Sequence, residues 1–384
     1  MNKNIGIYIH IPFCSSKCYY CDFASYPDKD QYISQYIDSL CNEILNNSDI
    51  LTQYNITSIY IGGGTPSHID SKYIVKILSV LNFFKVDDNV SITIEVNPNS
   101  VSEEKIREYK EVGINRISMG LQSTHDEILK SIGRKHTYND FINALKIIKK
   151  YDINNVSIDL IYPLPGLTYK LLDETLDLVL SIRKEYNIHH ISIYNLEVHE
   201  NTKLDFLLKE NFLSLIDEDE EYDMKENIKN KLESNGLHRY EISNYSEEGY
   251  ESIHNINYWK QGIYLGFGVA ASSFFAGSRY TNTKSMDDYI DYYLNNNKSI
   301  SVIEEKEDLT KLDLMKEYII LNLRLNTGVS INDFYLRFKV KLLDIFNEEI
   351  NKMIKNKLLY MNRTNVFLTD KGKDIANIVW EEFI

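Results

Sequence analysis

The sequence predicts an α/β fold: a partial (β/α)6 barrel, open on one side, followed by a smaller C-terminal α+β domain of winged-helix-like pattern. Three observations carry this expectation. Strand-like and helix-like segments alternate from residue 5 to about 197, as in βαβ units with a parallel sheet. Polar and glycine residues that suit chemistry recur just after the strand-like runs, where barrels of this kind collect their functional groups. From about Glu307 the pattern turns helical, then runs into a short strand pair and a last helix.

The elements follow in order. Apolar or β-branched runs occur at Ile5–Ile11, Ser58–Ile61, Val90–Val96, Arg116–Leu121, Val156–Ile161 and His190–Leu196. Amphipathic stretches lie between them at Tyr32–Leu45, Ser71–Phe84, Glu103–Val112, Tyr138–Lys150 and Leu171–Glu185. Residues 201–235 read as charged helix, and the acidic run Asp217–Glu221 as a solvated face. His238–Ala276 mixes short strand signals with glycine and aromatics. The C-terminal part predicts strands at Leu358–Met361 and Val366–Leu368 and a helix over Lys371–Glu382. The domain boundaries expected are 1–235 for the barrel with trailing helices, 236–306 for an auxiliary segment, and 307–384 for the C-terminal domain.

At 384 residues the chain is long enough for one large and one smaller domain. Hydrophobic residues make up 43%, as in an ordinary soluble protein. No apolar run approaches the roughly 20 residues needed to span a bilayer. No secretory leader is evident. A net charge of −14 disfavours nucleic acid as a partner. These features, with thiols suited to metal, predict a cytoplasmic protein.

Cys14, Cys18 and Cys21 form C-x3-C-x2-C directly after the first strand. Three thiolates on one short loop can hold three irons of a [4Fe–4S] cluster and leave the fourth open to a small ligand. A structural zinc site would want four closed ligands, and there is no second knuckle. A disulfide framework belongs to small secreted domains, whereas this chain has only four cysteines. Cys41 falls inside an amphipathic helix and reads as a buried thiol. Gly62-Gly63-Gly64-Thr65-Pro66 after the second strand lets backbone approach a ligand closely, or simply makes a tight turn. Glu95 ends the third strand, Gln122 follows the fourth and Asp159 is carried by the fifth, while Arg134 stands in Gly133-Arg134-Lys135, which also reads as a simple helix-end turn. Each suits an ammonium, carboxylate or ribose group, and each has a plain alternative as a turn cap or surface ion pair.

Together these residues carry a resemblance. Tyr8-Ile9-His10-Ile11-Pro12-Phe13-Cys14 with its C-x3-C-x2-C, the Gly-Gly-Gly-Thr-Pro turn, and Glu95-Val96-Asn97-Pro98 resemble the radical S-adenosylmethionine (radical SAM) family of oxygen-independent coproporphyrinogen III oxidases, over nearly the whole chain. The resemblance implies a [4Fe–4S] cluster on Cys14, Cys18 and Cys21, with S-adenosyl-L-methionine on its open iron. It implies cofactor contacts at Tyr8, Tyr20, Gly64, Thr65, Glu95, Gln122, Arg134 and Asp159. The oxidases carry a further cysteine two residues after the third, where this chain has Phe23, and an extension before the first strand, which here begins at Ile5. Both departures, and His254-Asn255-Ile256-Asn257-Tyr258-Trp259, resemble instead the heme-chaperone branch of that family. By this resemblance His254, Tyr258 and Trp259 are candidate heme-binding residues, an imidazole being a common axial ligand; packing against the barrel is the alternative reading. His10 reads as a hydrogen-bonding residue of the cysteine loop. The implied function is transfer of heme to an acceptor hemoprotein. The implied partners are heme, that acceptor, an electron donor such as flavodoxin or ferredoxin, and respiratory membrane proteins through peripheral association. The rival functions are coproporphyrinogen III oxidation and radical SAM modification of heme.

Overall fold

The computed structural model describes residues 3–384. Strands β1 (Asn4–Ile11), β2 (Asn55–Gly63), β3 (Val86–Val96), β4 (Arg116–Gln122), β5 (Val156–Tyr162) and β6 (Ile188–Asn195) are all parallel, each to the next. Between them lie α1 (Ile33–Asn46), the short α2 (Ser48–Leu51), α3 (Ser71–Leu81), α4 (Glu103–Glu111), α5 (Asp126–Ser131), α6 (Tyr138–Lys150) and α7 (Tyr169–Ile182). β1 and β6 do not pair with each other, so the barrel is partial, as expected. β2 and β3 begin several residues before their apolar runs, because backbone pairing continues past the buried stretch: Ile56 still pairs with Val86.

Sequence pattern explains the layers. β1 alternates: Ile5, Ile7, Ile9 and Ile11 are fully buried on one face, while Gly6, Tyr8 and His10 occupy the other. The helices bury one stripe each; α3 does so through Ile74, Ile77, Leu78 and Leu81. Their starts are chemically marked: Asp70 accepts from Lys72 N, Ser102 from Lys105 N, and Thr137 forms a capping box with Asp140.

Helices α8 (Lys203–Lys209) and α9 (Glu218–Ser234) follow the barrel. Asp217 caps α9, and the acidic run fills its first turn, where carboxylates complement the helix dipole. The run is therefore more than a solvated face; Glu220 also accepts the backbone N–H of Tyr169 at the start of α7, at 3.0 Å. Next come β7 (His238–Arg239), β8 (Asn244–Ser246), α10 (Ile253–Trp259), β9 (Tyr264–Phe267), β10 (Ser272–Phe275), β11 (Ser278–Asn282), α11 (Met286–Tyr293) and β12 (Ile303–Asp308). This stretch extends the barrel sheet at both edges: β8 and β7 continue from β6, while β9 to β12 continue from β1, giving a single sheet of 12 strands. Its apolar residues share one core with the barrel.

The remainder builds a second core around Phe334, Phe338, Phe346 and Phe383. It holds α12 (Lys311–Leu323), β13 (Val329–Ser330), α13 (Ile331–Phe338), α14 (Leu342–Ile345), α15 (Asn347–Lys355), β14 (Leu359–Met361), β15 (Asn365–Leu368), α16 (Asp370–Asp374) and α17 (Ala376–Glu381). The single last helix expected is two, because Ile375 leaves helical geometry at φ −127° and ψ 44°. The two cores meet at Arg324, whose guanidinium lies 4.2 Å from the Trp259 ring and 5.1 Å from that of Trp380.

Candidate functional site

A cavity of about 550 Å³ opens at the C-terminal ends of β1 to β6. Cys14, Cys18 and Cys21 line it, with Tyr20, Gly64, Thr65, Glu95, Gln122, Arg134 and Asp159. Residues spread over 145 positions of sequence thus share one chamber, because most stand on or just beyond the parallel strands toward one rim, while Arg134 reaches in from the connection between α5 and α6. Tyr8 is not among the lining residues. Its hydroxyl bonds His10 Nδ1 at 3.0 Å, and His10 Nε2 reaches the Ala24 carbonyl at 2.8 Å. Nε2–H donating to that carbonyl leaves Nδ1 to accept from Tyr8. Tyr8 and His10 therefore tie the exit of the cysteine loop to β1, and Tyr36 donates to the His10 carbonyl at 2.7 Å.

The glycine turn is shaped by that loop. Gly64 N bonds Ile11 O, and Thr65 N bonds Phe13 O, both at 2.8 Å. A Cβ on Gly64 would lie 2.8 Å from Phe13 O, and one on Gly63 (φ +115°) would lie 2.7 Å from the His10 ring. The glycines are required to seat the cysteine loop against β2, a packing reason distinct from ligand approach.

Around the thiols the charges are arranged. Arg134 is not a surface turn residue: Nη2 donates to Asn97 Oδ1 and to Gly120 O, each at 2.7 Å, and Nη1 faces Cys18 Sγ at 3.6 Å. Burial pushes the Cys14 and Cys21 thiols up. Across the chamber Glu95 accepts from Tyr60 Oη at 2.9 Å and from Gly63 N at 3.2 Å. Burial, reinforced by the charge of Asp159, pushes its carboxyl up to about 7. Asp159, against Ser118 Oγ at 3.3 Å, is also raised by burial. Gln122 is buried at positive φ, and its Oε1 has no hydrogen-bond partner.

These features fit the implied cofactors. Two buried carboxylates and an orphaned amide oxygen suit a cationic, hydroxyl-bearing ligand. Among the described residues no group of three His, Cys, Asp or Glu converges on a single ion. Three loop thiols that share a chamber suit a cluster, in which each thiolate takes a different iron.

His254, Tyr258 and Trp259 lie elsewhere. α10 packs at the N-terminal ends of β1 and β2, on the barrel floor. His254 is 2% exposed. Its Nδ1 bonds Ser58 Oγ and its Nε2 bonds Tyr258 Oη, both at 2.8 Å. Burial lowers its pKa to about 3. With both nitrogens bonded inside the protein, the geometry of His254 is that of the alternative reading, packing against the barrel. Tyr258 packs edge-on to its ring, and Trp259 serves the junction with Arg324. The sequence reading missed Tyr194 and His199, which line the chamber beyond β6. His199 is the lining's one imidazole, 3.6 Å from Asp22 and 3.9 Å from Glu197. Only its place just past the sixth strand could have signalled it.

Fold and chamber define a radical SAM protein: residues 8–179 match the model of the radical SAM superfamily, and residues 309–375 match the HemN C-terminal domain. Proteins of that superfamily use a [4Fe–4S] cluster and S-adenosylmethionine. The chain is 35% identical to heme chaperone HemW of Lactococcus lactis, covering 100% of this chain and 98% of that one. It is 32% identical to heme chaperone HemW of Bacillus subtilis, covering 98% of each. The chain belongs to the HemW family. The solved coproporphyrinogen III oxidase HemN from Escherichia coli has the same fold, with a TM-score of 0.85 and 21% identity over 99% of this chain and 90% of that chain. No helix among the described residues is long and apolar enough to cross a membrane.

Proposed function

We propose that this protein is a heme chaperone, which binds heme and passes it to an acceptor hemoprotein, with a [4Fe–4S] cluster on Cys14, Cys18 and Cys21 and S-adenosylmethionine beside it. The observation that carries the reading is similarity over the full length to proteins named heme chaperone HemW. Phe23, 64% exposed at the chamber mouth, supports it, since the oxidases have a cysteine at this place.

Each residue has a part in this reading. Arg134 sets its guanidinium against Cys18 Sγ and is held there by Asn97 and Gly120. Glu95 and Asp159 bind the cationic and hydroxyl groups of S-adenosylmethionine, whose positive charge offsets the burial that raises both carboxyls. Gln122 Oε1 accepts from it. Tyr20, Gly64 and Thr65 wall the same chamber. When bound, the cluster supplies one electron at the iron left without a thiolate. An electron donor, a place in the cytoplasm and peripheral contact with respiratory membrane proteins complete the proposal.

The test is a heme titration of the anaerobically reconstituted full chain, beside an assay with coproporphyrinogen III. A saturable Soret band, and transfer of that heme to an apo-hemoprotein, are expected. Protoporphyrinogen at enzyme-like turnover, or no heme binding, would overturn the reading.

A further inference from the structure

The chain has nine histidines, and seven of them have a ring nitrogen hydrogen-bonded inside the protein. Two have none among the described residues: His238, exposed on β7 at the outer edge of the sheet, and His199. His199 is also the imidazole that lines the chamber. Its backbone is fixed, since Thr202 N and Oγ1 both donate to its carbonyl, at 3.3 and 2.8 Å, where Thr202 caps α8. Its side chain is free. It is 37% exposed, with Nε2 3.6 Å from Asp22 and 3.9 Å from Glu197, beyond hydrogen-bond range of both. A carboxylate beside an imidazole takes the N–H of one ring nitrogen and leaves the other to accept a metal.

The surroundings suit a flat apolar ligand. Phe23 follows Asp22 directly, and Tyr194 and Leu196 precede His199 on the segment that leaves β6; all three line the chamber. Phe23 is 64% exposed and Tyr194 41%, so the mouth presents aromatic surface to water. Lys17 lines the same chamber, where its Nζ donates to the Phe23 carbonyl at 3.2 Å and forms no ion pair among the described residues. The chamber thus has two zones: an inner polar one around Glu95, Gln122, Arg134 and Asp159, and an apolar mouth with one free imidazole and one free cation.

We infer that heme is held across the mouth of this chamber, with His199 as an axial ligand to its iron. The macrocycle lies against Phe23, Tyr194 and Leu196, and Lys17 meets a propionate. The opposite axial position faces outward. On release the coordinate bond from His199 to iron breaks as a ligand of the acceptor bonds the iron; the iron keeps its oxidation state and no electron is transferred. A half-exposed ligand at an open mouth suits a cargo that must leave again. This inference rests on the heme-chaperone reading and gives its cargo a place.

The experiment titrates hemin into the cluster-reconstituted full chain, read by the Soret band and by electron paramagnetic resonance of the ferric iron. Wild type is expected to show nitrogen-ligated heme. H199A should weaken hemin binding about tenfold or more, roughly 1.4 kcal/mol, and lose that signature, while the absorption of the cluster stays intact. In H199G, added free imidazole should restore the wild-type spectrum, a response that a merely structural role would not give. H238A, which removes the other unbonded imidazole, should titrate as wild type. K17E should weaken binding without moving the Soret band. H199A with wild-type affinity and spectrum, H199G that does not respond to imidazole, or thiolate-ligated heme in the wild type would overturn the inference while heme binding itself stands. No hemin binding by the wild type would overturn the chaperone reading, and this inference with it.

Discussion

Replacing His254 with Ala probes whether this residue belongs to the barrel floor or to a heme site. The imidazole bonds Ser58 Oγ and Tyr258 Oη, each at 2.8 Å. It also stacks on Tyr60, with centroids 5.3 Å apart and planes at 24°. Truncation strands the buried Ser58 hydroxyl and the half-buried Tyr258 hydroxyl at about 1–2 kcal/mol each, and removes ring contacts of about 1 kcal/mol. A destabilisation of about 3–5 kcal/mol follows, a large share of a typical total of about 5–15 kcal/mol. With a urea m-value of about 3 kcal/mol/M, the midpoint should fall by about 1 M or more. Tryptophan fluorescence reports it well, because Trp259 ends α10 and faces Trp380 across Arg324. In the folded baseline the Soret band of added heme should keep its position. A lost or displaced Soret band with an unchanged urea midpoint would make His254 an iron ligand and refute the reasoning.

Cys18→Ser should abolish the oxygen-sensitive cluster absorption after reconstitution while the apo fold persists; full iron content in that variant would reject the ligand assignment. Stability should also depend on pH. Burial lowers His10, His136 (to about 4), His190 and His254 (to about 3) below the ordinary 6.5, so the unfolded chain binds more protons below pH 6.5 and stability falls there. Burial raises Glu43 and Glu95 to about 7 from 4.5, so the folded chain binds more protons between those values and stability rises as pH drops. Asp159, raised by burial as well, acts in the same direction as the two glutamates. Four groups oppose three, each worth up to about 1.4 kcal/mol per pH unit. Net loss between pH 6 and 5, read by urea midpoints of the apo protein, is the expected result; a gain would reverse the sign.

Much of the site was legible because its signals are local. The cysteine spacing lies within eight residues, from Cys14 to Cys21. The alternation of strand and helix patterns placed Glu95, Gln122 and Asp159 on neighbouring strands, since a parallel barrel brings equivalent ends to one rim. Glu43 shows what local pattern conceals. It reads as the polar member of a helix, yet it is 3% exposed and accepts from Gly268 N and Asn282 Nδ2, each at 2.7 Å, and from Tyr289 Oη at 2.5 Å. Those donors are more than 220 positions away, and no periodicity carries them.

The sequence by itself determined the βα order, the three thiols on one loop and the strand-end residues, because spacing and period are properties of neighbouring residues. Only the tertiary structure decided which face of each motif meets ligand and which meets protein. It turned Arg134 inward to Cys18, bound Tyr8 to His10, and set the glycine turn against Phe13. It also closed both nitrogens of His254 on the barrel floor and brought His199 to the chamber. The physical reason is common to all five: a polar group's role depends on whether its partners in the packed fold leave a donor or acceptor free, and those partners come from distant strands.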